Sequence, residues 1–293
     1  MGITVVIKSE HVEVKTQRET AAQRVINHFG HALPDTRLLC FFDDQDWQLF
    51  KSGYGAANRG LAGPIRDDTP WAEWPHYVTD FIFVDDLPNL QFHRAFDHII
   101  YLHGGTCAST VGLTMTLAHE LQHFVQYHAA LRVWAENGLI RRLIKTFDQG
   151  LINSLDLTWS DIPIEREARA VSKHTAEQLL GAKAVAEYID ARISEHVDAT
   201  DVADWEYVRS LDVSSPYCLE SETRLIFRRL KKYRPELESI LQELHYDPDF
   251  KDINLDALFH DAPAAFAPNS ASSDSTRPPT EFSEIRRITD STS

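Results

Sequence analysis

The chain has 293 residues, of which 43% are apolar and 25% charged, and this composition is typical of a globular protein. A chain of this length can form one large domain or two small ones. The net charge of −15 argues against nucleic acid and against anionic membrane surfaces as partners.

Cysteine usage and the apolar segments indicate the compartment. Cys40, Cys107 and Cys218 are widely spaced and include no Cys-x-x-Cys pair, which is typical of reduced thiols in a cytosolic protein. We expect all three to be small core residues. The N-terminal segment lacks the apolar core of a signal peptide, and no window approaches the roughly 18 apolar residues of a membrane span. We therefore expect a cytoplasmic protein, whose oligomeric state the sequence leaves open.

The first elements of the chain are two short apolar runs and a helix. Ile3–Ile7 and Val12–Val14 are β-branched runs, which together predict an opening hairpin. Gln17–His28 is predicted to be a helix, with Thr16 as its N-cap and Glu19 at the capping-box position.

Three further apolar runs are candidate strands. Arg37–Phe42 is predicted to be a buried strand, and Asp80–Val84 and Asp97–His103 are the other two candidates. Residues 51–76 are rich in Gly, Asp, Pro and Trp and are predicted to form a long loop.

From Ser109 onwards the chain is predicted to be almost wholly helical. The first of these helices begins near Ser109, and Gly181 and Pro235 mark an end and a start of later ones. The later helices are predicted at about residues 130–148, 163–181, 183–197, 200–211, 219–232 and 235–244.

The predicted architecture is an α+β fold with a disordered tail. Residues 262–293 are rich in Ala, Pro, Ser and Thr and contain few large apolar side chains, so they are predicted to be disordered. Residues 1–261 are predicted to form a single domain. In it, a small mixed sheet within about residues 1–108 packs on the first helix of a mostly helical part, about residues 109–261.

The most informative feature is a His-Glu-x-x-His pattern, His119-Glu120-Leu121-Gln122-His123, on an apolar helical stretch. Residues four apart lie one turn above each other, so both imidazoles leave one face of the helix about 6 Å apart. That separation suits two zinc–nitrogen bonds of about 2.0–2.1 Å. Glu120 is rotated by roughly 100° from His119 and can reach a water on the metal without being a ligand. The alternative is a buried histidine pair without metal.

A catalytic zinc ion needs three protein ligands and one open position. In the metzincin pattern, a Gly and a third His follow the first His by seven and ten residues, but Gln126 and Ala129 stand at those positions. His128 is five residues from His123 on the same helix and cannot comfortably share a metal with it. We therefore expect His128 to be a surface residue at the helix end.

The helix predicted to start at Pro163 offers two candidate ligands, Glu165 and Glu167. They are about 200° apart on the helical wheel, so only one of them can point at a metal. Each borders the apolar stripe of the helix, so the wheel does not separate them. For both, the alternative is a solvated side chain in weak salt bridges with neighbouring arginines.

Strands followed by a buried His-Glu-x-x-His helix and then by further helices resemble the zincin metallopeptidases. A Glu followed directly by Ala on a second helix resembles the gluzincin branch of these enzymes, and here that residue is Glu167. The resemblance covers roughly residues 80–180. It implies a zinc ion held by His119, His123 and Glu167, with Glu120 as the general base of peptide hydrolysis.

The resemblance also implies an edge strand above the active-site helix that pairs with an extended substrate. Asp97–His103 is the favoured strand, because it directly precedes the helix, and Asp80–Val84 is the alternative. Many gluzincins carry an Asp one turn after the ligand Glu to orient a histidine. Val171 stands there in this chain, so the orienting group must come from elsewhere. His174 is a candidate for stabilising the oxyanion, and the favoured alternative is a plain histidine on the helix surface.

The function implied by the resemblance is that of a zinc-dependent endopeptidase with a protein or peptide substrate. A second possibility is an inactive zincin-fold protein that uses the metal structurally, with His174 or His128 as a fourth ligand. A third is a helical module without metal, in which the motif is coincidental. The sequence identifies no specificity pocket.

Overall fold

The computed structural model describes residues 2–8, 12–43, 60–64, 97–103, 108–146, 157–195, 199–213 and 218–259. The strands are β1 Gly2–Lys8, β2 Arg37–Asp43, β3 Gly60–Pro64 and β4 His98–His103. The α-helices are α1 Val12–Phe29, α2 Thr110–Ala129, α3 Leu131–Thr146, α4 Pro163–Leu180, α5 Ala182–Glu195, α6 Ala199–Ser210, α7 Leu219–Arg229, α8 Arg234–Glu243 and α9 Leu255–Phe259. Short 3₁₀ helices cover Gly30–Ala32, Trp159–Asp161 and Leu230–Tyr233.

The four described strands form one mixed sheet in the order β1-β2-β4-β3. β1, β2 and β4 are parallel, and β3 is antiparallel to β4. Leu38, Leu39 and Cys40 are consecutive and fully buried, because the central parallel strands are covered on both faces. Helix α2 contacts β3 and β4, and helix α1 contacts both β1 and α2. The protein is therefore mostly helical with a small mixed sheet, as the predicted α+β class requires.

The described residues form two compact units. The first comprises residues up to Leu131 together with Arg166–Leu211, and the second comprises Arg132–Glu165 together with the residues from Asp212 onwards. The division falls inside helix α4, whose first turn, including Glu165, continues without a break into Arg166. The prediction of a single domain over residues 1–261 stays a prediction, and the predicted tail, residues 262–293, lies outside the described residues.

Each unit has its own apolar core. In the first unit, the buried central strands adjoin α2, whose Leu117, Leu121 and Phe124 have no exposed surface. The second unit is built around Leu139, Ile140 and Phe227, which are likewise buried completely. Within the part of the chain that the structure describes, no helix combines the length and the apolar character needed to cross a membrane.

The predicted opening hairpin is wrong. Ile3–Ile7 lies in β1, but β1 pairs in parallel with β2, and parallel strands need a crossover connection rather than a tight turn. Val12–Val14 is the first turn of the crossover helix α1. Thr16 is consequently inside the helix, where its hydroxyl donates to the carbonyl of Val12 at 3.0 Å instead of capping the N-terminus.

The predicted long loop over residues 51–76 contains strand β3 at Gly60–Pro64, so that prediction is wrong for these five residues. Asp97–His103 is confirmed as a strand, apart from Asp97 at its start, but it cannot be the edge strand. β4 pairs with β2 on one side and with β3 on the other, so the edges of the described sheet are β1 and β3. The other candidate, Asp80–Val84, lies outside the described residues.

The predicted helices from Ser109 onwards are confirmed within a few residues at their ends, except that 230–232 are a 3₁₀ turn. Gly181, which follows α4, has a φ of +89°, a conformation that a residue with a Cβ rarely adopts. Cys40 is a buried core residue as expected, and burial raises the pKa of its thiol to about 12. The same expectation is wrong for Cys218, which is exposed at the N-terminus of α7 because it precedes the first turn of that helix. Cys107 lies outside the described residues.

Candidate metal centre

Helix α2 carries the His-Glu-x-x-His pattern in a buried position. Ser109 caps the helix, and its hydroxyl oxygen accepts a hydrogen bond from the backbone N–H of Gly112 at 2.9 Å. Because apolar residues surround most of the helix, its two central turns are almost completely buried. Glu120 and His123 are only 6% and 5% exposed, whereas His119 is partly exposed. Polar groups buried to this degree cost free energy unless they are paired or bound to metal.

The two histidines converge on one point. The Nε2 atoms of His119 and His123 are 3.1 Å apart, and the rings are nearly perpendicular at 86°. Two nitrogens at that distance, each about 2.0–2.1 Å from a zinc ion, would subtend about 95–100° at the metal, close to the roughly 109° of a tetrahedron. The described geometry therefore fits two ligands of one metal.

Glu165 completes a group of three possible ligands. One ligand atom from each of His119, His123 and Glu165 lies within 4.8 Å of the other two. Two histidines and one carboxylate form a donor set that catalytic zinc sites use, with a further position left open for water or substrate. The arrangement is a candidate metal-binding site.

Arg141 holds the carboxylate of Glu165. Its Nη2 forms a short ion pair with Glu165 Oε1, and the side chain of Glu165 is only 6% exposed. The guanidinium carbon lies 5.0 Å from the ring centroid of Trp134 and 5.6 Å from that of Trp159. The ion pair uses Oε1 of Glu165.

Glu167 lies in a different environment. Its Oε2 accepts a hydrogen bond from Gln126 Nε2 at 2.7 Å and another from Gln122 Nε2 at 3.1 Å. Burial raises the pKa of this carboxyl, and the hydrogen bonds from the two amides and the charge of His123 oppose that rise. The gluzincin resemblance favoured Glu167 over Glu165 as the third ligand. Among the described residues, the glutamate grouped with the two histidines is Glu165.

A further hydrogen bond connects Glu167 to the site indirectly. Gln126 Oε1 lies 2.8 Å from His123 Nδ1, on the opposite side of the imidazole from the nitrogen that faces His119. Gln126 is only 3% exposed. The sequence singled out Gln126 merely as the residue that replaces a metzincin Gly. A glutamine three residues after a ligand histidine is the signal that could have identified it as a histidine partner.

Helix α4 is also joined to α2 further along. Ser172 donates from its hydroxyl to the backbone carbonyl of Met115 at 2.6 Å, and both residues are buried. Met115 precedes Gln122 on α2, whereas Ser172 follows Glu167 on α4. The two contacts therefore place these parts of the helices antiparallel to each other.

The remaining candidate residues are placed as follows. His128 is exposed in the last turn of α2, as expected, and burial of part of its ring lowers its pKa whereas the charge of Asp97 raises it. His174 acts electrostatically on His28, whose pKa is lowered by burial and by that neighbour. Neither residue belongs to the group of three ligand atoms. A stabilising role of His174 toward an oxyanion stays a prediction.

Sequence reasoning missed His98, a second buried histidine beside α2. His98 lies on β4 with 1% of its surface exposed, and its ring packs on Phe124 with centroids 4.8 Å apart. Neither ring nitrogen has a hydrogen-bond partner among the described residues. Burial therefore lowers the pKa of His98 well below 6.5, and His128 and His123 lower it further.

No protein-family model, curated protein or solved structure matches the chain. The functional conclusion rests accordingly on the site itself: two histidines at the spacing of a His-Glu-x-x-His helix and one glutamate of α4, placed where they could bind a metal ion.

Proposed function

We propose that the protein is a zinc-dependent endopeptidase of zincin type, in which His119, His123 and Glu165 hold the metal. The observation that carries the proposal is the convergence of these three ligand atoms, two of which come from the motif that also contains the buried Glu120. A His-His-Glu set has the three protein ligands that catalytic zinc takes, and the group contains no fourth His, Cys, Asp or Glu among the described residues.

When bound, a zinc ion would polarise a peptide carbonyl and lower the pKa of a water molecule toward about 7. Glu120 is assigned the role of general base. It precedes the two-residue spacer of the motif and is buried, so its carboxylate can accept a proton from the attacking water and deliver it to the leaving amine. Arg141 fixes one oxygen of Glu165 and so limits the orientations that this ligand can adopt.

The mixed sheet also supports the zincin proposal, through the position of its edge strand beside helix α2. β3 is antiparallel to its neighbour β4, and it lies at one edge of the described sheet and contacts helix α2. An extended substrate that pairs with a strand beside the active-site helix would therefore meet β3 rather than β4. The substrate class is a protein or peptide chain, because strand pairing recognises a backbone.

The test is Glu120→Gln in the zinc-loaded protein, assayed on casein and on a mixture of peptides from a digested proteome. Gln has the same size and cannot accept the proton, so hydrolysis should fall by at least about 10²-fold while zinc stays bound. Glu19→Gln makes the same chemical change at an exposed position of α1 and should leave activity unchanged. Full activity of Glu120→Gln with one zinc bound would refute the assigned role.

The alternative is an inactive zincin-fold protein that uses the metal structurally. It predicts that the wild-type protein binds zinc and cleaves no peptide in the mixture. The same assay therefore separates the two functions, provided that zinc content is measured on the sample that is assayed.

A further inference from the structure

A continuous chain of hydrogen bonds runs from Glu167 to Nδ1 of His123, on the side of the ring opposite the nitrogen that faces His119. Glu167 Oε2 accepts from Gln126 Nε2 at 2.7 Å, and Gln126 Oε1 lies 2.8 Å from His123 Nδ1. On the other side of that imidazole, His123 Nε2 lies 3.1 Å from His119 Nε2. These groups all lie on α2 and α4 within the first compact unit.

The donor and acceptor chemistry of the chain has only one consistent direction. The amide nitrogen of Gln126 faces Glu167 Oε2, and an NH₂ group can only donate a hydrogen bond. The amide oxygen of Gln126 then faces His123, and an amide oxygen can only accept. The donor in this contact is therefore an N–H at Nδ1 of His123.

A neutral imidazole with its proton on Nδ1 has a free lone pair on Nε2. Nε2 of His123 is the atom that faces His119. A metal-ligating nitrogen has to be unprotonated, so this tautomer is the one that is ready for metal binding. The opposite tautomer would present a proton to the metal.

We infer that Glu167 is a positioning residue that acts through Gln126 to hold His123 as the Nδ1–H tautomer. Gln122 supports this role, because its amide donates to the same Glu167 oxygen at 3.1 Å and so fixes the carboxylate from a second direction. In gluzincins an Asp one turn after the ligand Glu orients a histidine, and Arg169 stands four residues after Glu165 in this chain. The Gln126–Glu167 pair supplies the same orientation from other positions.

This inference rests on the proposed metal site and is independent of peptidase activity. The experiment is therefore made on the metal-free protein, in which two-bond ¹H–¹⁵N NMR spectra distinguish the tautomers of neutral histidines. The His123 signals are assigned by their loss in His123→Gln. The wild-type protein should show His123 protonated on Nδ1.

Three variants test the direction of the hydrogen bonds, and a fourth is a control. Gln126→Leu removes the acceptor, and Glu167→Leu frees the Gln126 amide to turn, so both should yield a mixture of the two tautomers. Zinc affinity should fall in both by about 10–100-fold, the usual effect of losing a partner of a ligand histidine. The double variant Gln126→Glu/Glu167→Gln restores an acceptor at 126 and a donor at 167, so it should recover the Nδ1–H form. Glu19→Gln serves as the control for an exposed glutamate.

Two results would overturn the inference. The first is a wild-type His123 that is protonated on Nε2, which is decisive even if a leucine variant fails to fold. The second is an unchanged tautomer in folded Gln126→Leu, which would reduce the hydrogen bond to a packing contact. Neither result depends on whether the protein cleaves peptides, so failure of the inference and failure of the proposed function remain distinguishable.

Discussion

His98 should make the protein less stable in mild acid. Its imidazole is 1% exposed, packs on Phe124 and has no hydrogen-bond partner for either nitrogen among the described residues. Burial lowers its pKa in the folded state below the value of 6.5 that it has in an unfolded chain. As the pH falls below about 6.5, the unfolded state therefore binds a proton that the folded state does not bind.

The sign and size of the effect follow from this difference. The contribution of a neutral His98 to the free energy of unfolding is fully present above pH 6.5. It is lost as the pH falls toward the pKa of His98 in the folded state. One proton changes the free energy of unfolding by about 1.4 kcal/mol per pH unit, so the loss reaches at most about 2 kcal/mol between pH 6.5 and pH 5.

The assay is urea unfolding at several values between pH 7.5 and pH 5, with a chelator present so that the metal ligands do not contribute. His98→Phe and His98→Leu both remove the titrating group and differ in how well they fill the space beside Phe124. The free energies of unfolding of the two variants should therefore differ. Both variants should nevertheless lose the same part of the dependence of that free energy on pH. The reasoning is refuted if the stability difference between the wild type and each variant is constant over this pH range.

Two further predictions concern the supports of the site. Ser109→Ala removes the acceptor for the Gly112 N–H and should lower the free energy of unfolding by about 0.5–2 kcal/mol in urea unfolding, whereas Ser109→Asp keeps an acceptor and should cost less. Arg141→Met removes the cation from the buried Glu165 and should destabilise the metal-free protein by about 3–5 kcal/mol. Zinc would replace the lost positive charge, so saturating zinc should raise the melting temperature of Arg141→Met more than that of the wild type. Equal zinc-induced shifts would contradict the placement of Glu165 at the metal.

The part of the site that sequence predicted correctly is local. His119 and His123 share a face because they are four residues apart on a helix, and no information about the rest of the fold is needed to see it. The helix boundaries near Ser109 and Gly181 are also encoded locally, by a capping hydroxyl and by a residue that tolerates a positive φ.

The choice of the third ligand could not be predicted from the sequence, because it depends on which side chains pack against each turn of helix α4. Glu165 and Glu167 both border the apolar stripe of α4, yet Glu165 is paired with Arg141 and Glu167 with Gln122 and Gln126. A helical wheel gives the direction of a side chain and not its partner. The choice between the two glutamates therefore needed the packing of α4 on its neighbours.

Strand β3 was missed for a different reason. Its sequence, Gly-Leu-Ala-Gly-Pro, contains residues that are depleted in strands, and its pairing with β4 is set by contacts between residues about 40 positions apart. Pro64 is tolerated because it is the last residue of a strand at the edge of the described sheet. Such a strand has little signal in a single sequence.

The most direct test of the account is the zinc affinity of two matched variants, Glu165→Gln and Glu167→Gln, in competition with a chromophoric chelator. Each change removes one negative charge and keeps the size of the side chain and an oxygen that can accept a hydrogen bond. The wild-type protein should bind one zinc ion. Glu165→Gln should weaken binding by more than about 100-fold, beyond the usual effect of an indirect partner, whereas Glu167→Gln should weaken it by no more than about tenfold. Tight zinc binding by folded Glu165→Gln, with loss in Glu167→Gln, would return the ligand role to Glu167 and contradict the proposed site.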